Sequence, residues 1–279
     1  MPERRPVVSA LLALAVLASV FARAAAAGPP RVVSLNPSLT AILLALDAEA
    51  TLVGVDEYSA QLEPRVRGLP RVGGLFNPSL EAIVALAPST VALVPSVQQR
   101  ELRGRLEALG IEVLALPNIS YDEVLRSIVV LGERVGHGAA ARARADAIRA
   151  AWRDALERAD GAVPVRAVLV LQRDPLYVVG GGSFLDEMLE AAGAENLARG
   201  FGEPYPRVSV EWLIAAAPEL ILDAADPAAE AQTHWSHWPS LPAVARGRVR
   251  ALDRQLTIPG PYLDRALAQL ADRVRGAPP

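Results

Sequence analysis

The 279-residue chain contains no cysteine. That excludes disulfides, thiol nucleophiles and thiolate metal sites, and also the lipid-anchored cysteine that a bacterial lipoprotein carries just after its leader. Histidine is almost as scarce, with only His137, His234 and His237. The last two lie three apart in THWSHW, a spacing that suits two ligands on one helical turn, but a zinc site there needs carboxylates to complete it. The tryptophans and Pro239 around them read instead as a packed loop. Neither sign of charge dominates: Lys+Arg number 28 against Asp+Glu 31, and the basic residues are scattered singly. No basic stripe marks out nucleic acid. Aromatics are only 5%, and alanine carries much of the 52% hydrophobic content, so this is an ordinary folding chain. Catalytic signatures are missing as well, with no G-x-S-x-G elbow, no H-E-x-x-H and no paired acids singled out by spacing.

Long apolar runs are absent except at the start. Arg4 and Arg5 precede the uncharged run Pro6 to Ala22, and ARAAAAG then offers small residues in an A-x-A arrangement. This is the layout of a secretory leader over residues 1–27, cleaved after Ala26 or Ala27. Without an anchoring cysteine, the mature protein is expected to be free in the periplasm.

Beyond the leader, short β-rich runs alternate with helical patterns. Strands are expected at 31–35, 51–55, 90–94 and 111–116, then at 165–171, 176–180, 220–224 and 248–252. Helical runs at Leu39–Leu46, Leu80–Ala87, Leu102–Leu109 and Leu185–Ala192 fall between them. This alternation predicts an α/β fold with parallel sheets. Ser120 to Asp160 has a different texture, with no proline and no strand-like run. Ser120 and Glu123 form a capping box, and a first helix should end near Gly136–Gly138. A second follows, with Ile148, Ala151, Trp152, Ala155 and Leu156 on one face. The expected organisation is an N-terminal lobe (28–119), a helical linker (120–162) and a C-terminal lobe (163–279).

The halves echo each other. SLEAIVALAP (Ser79 to Pro88) and SVEWLIAAAP (Ser209 to Pro218) share serine, glutamate, two alanines and proline at matching places. In each, serine is an expected N-cap, glutamate sits in the first turn and proline stops the helix. Glu81 and Glu211 either complement the helix dipole and do no more, or stand exposed, one per lobe, to clasp arginines on a partner. Weaker echoes link 38–52 with 183–197 and 106–116 with 242–252. Tyr58, Phe76, Tyr205 and Tyr262 follow or flank predicted strands in proline- and glycine-rich loops. Loops beyond strand C-terminal ends line the ligand crevice of open α/β sheets. The glycine run of QRDPLYVVGGGSF lacks dinucleotide-binding spacing and a Walker lysine, so it reads as a turn at Asp174-Pro175 relaxing into a helix.

From Arg31 to about Ala271 the chain resembles the helical-backbone substrate-binding proteins of ABC importers, and among them the periplasmic cobalamin binders. The resemblance is carried by RVVSLNPSLTAILLAL, LVGVDEYS, LPRVGGLFNPSLEAIVALAPSTVALV, DPLYVVGGGSFLDEMLEAAGAENL, PYPRVSVEWLIAAAPELIL, WPSLPAVARGRV and IPGPYL. It implies two Rossmann-like lobes joined by one long backbone helix, with the ligand held between them. It also implies that one surface glutamate per lobe, here Glu81 and Glu211, docks on arginines of a permease dimer whose partner subunits hydrolyse ATP. Tyr58 matches a tyrosine that packs on the corrin. Tyr205 stands where a tryptophan of similar role occurs, and Phe76 falls beside another such position. The ligand set expected on this basis is Tyr58, Leu75, Phe76, Asn77, Arg173, Tyr205, Gln255 and Tyr262. The family's acid after P-S-x-T is replaced by Ala41, and the loop before IPGPY, roughly Arg254 to Ile258, lacks the acid and arginine that some cobalamin binders place near the ligand. Haem and ferric-siderophore binders share the fold; haem would need an axial ligand, for which Tyr58 or Tyr205 could serve. The expected protein is a monomeric receptor for cobalamin with no catalytic residues, catalytic cofactor or resident metal. An exported enzyme acting in the cleft is the rival of a different class.

Overall fold

A computed structural model describes residues 29–276, so the leader assigned to 1–27 lies outside the described residues. The strands β1 (Val32–Ser34), β2 (Leu52–Val55), β3 (Thr90–Leu93) and β4 (Glu112–Ala115) form an all-parallel sheet in the order β2-β1-β3-β4. A second sheet contains β5 (Val165–Gln172), β6 (Tyr177–Val178), β7 (Ala194–Asn196), β8 (Leu220–Asp223) and β9 (Val249–Ala251). There β7, β5, β8 and β9 run parallel in that order, and β6 folds back antiparallel along β5. Matching β1, β2, β3, β4 to β5, β7, β8, β9 gives identical strand orders, so the two lobes share one topology. The strands β1, β3 and β8 are buried along their whole length, as expected of parallel sheets covered on both faces.

The helices are α1 (Pro37–Ala45), α2 (Glu57–Leu62), α3 (Leu80–Ala85), α4 (Arg100–Ala108), α5 (Tyr121–Arg134), α6 (Gly138–Ala159), α7 (Phe184–Ala191), α8 (Val210–Ala216), α9 (Ala231–Trp235), α10 (Pro242–Ala245) and α11 (Leu263–Arg275). The capping box at Ser120 and Glu123 is present, and α5 stops where Gly136 takes a positive φ of 81°. The 22 residues of α6 extend about 33 Å, the width of a domain. Ile148 and Trp152 of α6 are buried in one continuous core with Ile42 and Leu43 of the first lobe and Leu169 and Leu185 of the second. The backbone helix thus fuses the lobes through apolar packing.

Several elements were not anticipated: the short helices α2, α9 and α10, strand β7 and helix α11. Strand β7 has only three residues and no β-branched run, yet the echo between 38–52 and 183–197 sets it in the place of β2. Helix α11 packs on α6 and α7, burying Leu263, Leu267, Leu270 and Val274, whose helical spacing is legible in the sequence.

The repeated decapeptides fold alike. Ser79 and Ser209 accept the amide protons of Ala82 and Trp212, which caps α3 and α8. In each copy the alanine just before the final proline lies in the left-handed region, Ala87 at φ 44° and Ala217 at φ 48°. A Cβ is unfavourable there by about 1–2 kcal/mol. Ala217→Gly is therefore expected to stabilise the protein by about 1 kcal/mol and to raise the melting temperature by roughly 2–4 °C. A calorimetric scan showing no rise, or a fall, would contradict this.

Candidate ligand cleft and docking faces

The C-terminal ends of both sheets carry the loops that form the walls between the lobes. In the first lobe a buried polar chain fixes them. Asp56 caps α2 by accepting the Ser59 amide and hydroxyl, and Thr40 bridges Ser59 and Ser34 at 2.8 Å each. All four side chains are buried. Desolvation pushes the Asp56 carboxyl above its ordinary range, with the Ser59 hydrogen bonds opposing it. This chain sets the direction of α2, which presents Tyr58 from its first turn. The next loop is held from beneath: Gln99 donates to the Leu75 carbonyl at 2.9 Å, leaving the Phe76 ring outermost.

In the second lobe, the glycines of GGGSF serve packing. A Cβ on Gly180 would strike the Glu203 carbonyl and the Pro206 ring, and one on Gly181 the Arg199 carbonyl. The segment 204–208 therefore lies flat against β6, with amide bonds from Val178, Gly180 and Val208 across the pair. Tyr205 projects from this segment. Its ring is 39% exposed, yet burial pushes the phenol up to about 12. Tyr58 at 51%, Phe76 at 68% and Tyr262 at 44% are more open still, so these four aromatics stand partly uncovered, Tyr58 on α2 and the others in or at the edge of loops.

The structure gathers some expected residues and separates others. Gln255 and Tyr262 line one cavity of about 420 Å³ between the lobes, facing Pro37, Ala41, Leu62 and Glu63. The Tyr262 ring lies 5.0 Å from the Arg265 guanidinium and 5.8 Å from that of Arg144, which holds it by cation–π attraction. Ala41 faces this same cavity, whose carboxylates come from Glu63 and Asp253. Phe76 and Asn77 instead share a shallow hollow with Glu81 and Arg105. Arg173 is turned away from ligand contact. Its side chain is 8% exposed and pairs with the fully buried Asp223 at 3.0 Å. It also donates to the carbonyls of Ala225 and Pro227. Just before IPGPY, Asp253 accepts from the Gln255 amide, and Arg254 pairs with Asp226 at 3.0 Å.

THWSHW forms α9 and the turn after it. Trp235 is buried and donates its indole N–H to Asp223 at 2.5 Å, and His234 packs between Trp235 and Trp238. Among the described residues no group of three or more His, Cys, Asp or Glu is placed to hold a metal ion.

Glu81 and Glu211 occupy equivalent exposed positions, each with its own backbone amide and the capping serine holding the carboxyl below its ordinary range. Their helices cover the outer faces of the two sheets, through Ile83 in one lobe and Leu213 in the other. Residues 32–256 match the family described as periplasmic binding protein. The chain belongs to that family. Vitamin B12-binding proteins of Photorhabdus laumondii and Salmonella choleraesuis are 26% and 27% identical to it. The first alignment covers 76% of each chain, the second 84% of this chain and 86% of its relative. Among solved structures, the periplasmic vitamin B12 binding protein BtuF of Vibrio cholerae superposes with a TM-score of 0.77 at 25% identity, covering 88% of this chain and 96% of its own. The periplasmic heme-binding protein RhuT from Roseiflexus, in apo form, gives the same TM-score and identity, covering 88% and 98%. This periplasmic binding protein thus has the two-lobed α/β fold of its relatives, with parallel sheets joined by one long backbone helix.

Proposed function

We propose that this protein captures cobalamin between its lobes in the periplasm and hands it to an ABC permease dimer, without chemistry of its own. The leader 1–27 is removed on export, and the monomer comprises the lobes 28–119 and 163–279 around the linker 120–162. Tyr58, Leu75, Phe76, Asn77, Tyr205, Gln255 and Tyr262 line the ligand's path, while Arg173 shapes the wall from beneath. Glu81 and Glu211 grip permease arginines.

The observation that carries this reading is the pairing of relatives named for vitamin B12 with two identically capped, exposed glutamates, one per lobe. Haem is the second reading, favoured by the equal likeness to RhuT. Titrating the purified protein with cyanocobalamin, haemin and a ferric siderophore, followed by tryptophan quenching, separates the readings. Cobalamin should bind with a Kd at or below about 1 μM. Tight haemin binding with a shifted Soret band and no cobalamin response would reject the proposal.

A further inference from the structure

The two glutamate helices expose more than their acids. On α3 the outward residues are Glu81, Val84 and Ala85, and on α8 they are Glu211, Ile214 and Ala215. The spacing i, i+3, i+4 places each set on one helix face. Val84 is 39% exposed and Ile214 40%, although a β-branched residue gains nothing from water and slightly disfavours the helix that carries it. The cores beneath take Ile83 and Leu213 instead. A lone exposed aliphatic means little. Here one follows each glutamate by a single turn, at near-equal exposure, in lobes of matching strand order. Beyond these positions the faces diverge: Glu81 shares its hollow with Phe76 and Arg105, whereas in the other lobe Phe201 stands edge-on to Trp212.

We propose that Val84 and Ile214 are the apolar halves of two matched docking handles, each covered by the same apolar ledge on one half of the permease dimer. The inference rests on the reading that Glu81 and Glu211 dock on that dimer. A partner that presents one surface twice can read only what the two lobes have in common, and that is Glu, then Val or Ile one turn on, then Ala. Both carboxyls are held below their ordinary range, so they stay ionised at neutral pH and fix register against cations. Charge pairs at an exposed rim add little affinity. Covering the aliphatic one turn away removes apolar surface from water and supplies what the ion pair does not.

Val84→Gln and Ile214→Gln test this, since glutamine is polar and forms helix well. Binding to nanodiscs carrying the host's cobalamin permease with its ATPase subunits should weaken about fivefold for either variant and about 25-fold for both, because separate sites add in free energy. The loss should lie in the dissociation rate and persist at every salt concentration. Glu81→Gln with Glu211→Gln should instead slow association and flatten its salt dependence. Melting temperature and cyanocobalamin affinity of the Val84→Gln, Ile214→Gln double variant should match wild type. Undiminished permease binding by that variant, while reversal of both glutamates abolishes association, would overturn the apolar handles and leave the docking reading standing. Permease binding that survives the glutamate reversal would overturn both. Self-association of the wild type that is lost in the double glutamine variant would assign the faces to a second copy of this chain, and a lowered melting temperature would make the two residues structural; either result would overturn the proposal.

Discussion

Reversing both Glu81 and Glu211 to lysine is expected to leave cobalamin affinity unchanged and to abolish transport. Each glutamate lies in the first turn of a short helix on the outer face of its lobe, with its serine cap intact. Neither belongs to the inter-lobe cavity lined by Gln255 and Tyr262. On the docking proposed above, a lysine in place of either glutamate turns attraction into like-charge repulsion, and two such reversals act together because each handle raises the effective concentration of the other. Affinity for the permease should fall by about two orders of magnitude or more in the double variant. Single reversals should be intermediate, and Glu→Gln at both sites should be milder than reversal. Binding to permease-containing nanodiscs and uptake by cells measure this directly. Wild-type uptake by the double reversal would remove both residues from docking.

Arg173→Ala should be the most destabilising single change at the cleft. It strips the partner from Asp223, which is fully buried and receives only the Trp235 indole and the Ala225 amide besides. Removing one member of a buried pair leaves an uncompensated charge and costs about 3–5 kcal/mol. For a chain of this size the melting temperature should drop by roughly 10 °C. Arg173→Lys retains the charge but loses the fork that reaches Asp223, Ala225 and Pro227 together, so it should fall between wild type and alanine. A direct ligand contact would behave otherwise, weakening cobalamin binding with melting unchanged. Thermal melts beside ligand titrations of the same variant separate the two roles.

Much of the architecture was legible along the chain because parallel sheets bury both faces of their strands. RVVSL, TVALV and LILDA are apolar runs of strand length, and the texture of 120–160 is helical by its lack of proline and its period. The repeated Ser-x-Glu helices were also visible, caps included, since an N-cap is a contact between neighbours in sequence. Strand β7 escaped because Ala194–Asn196 has no intrinsic preference for extension and takes that shape only by pairing with β5. Arg173 was expected at the ligand for a similar reason: its place after β5 is right, but sequence cannot show that Asp223, 50 residues away, meets it first.

The sequence by itself determined every strand but β7, the backbone helix with its capping box, and the two matched glutamates. These depend on burial period, capping and repetition, which are local properties. Tertiary structure alone decided which loop residues share a surface. It brought Glu63 and Ala41 of one lobe against Gln255 and Tyr262 of the other, put Phe76 beside Glu81, and committed Arg173 to Asp223. Such meetings join residues up to about two hundred positions apart, and they are set by the packing of α1, α6 and α11 around a common core rather than by any pattern along the chain.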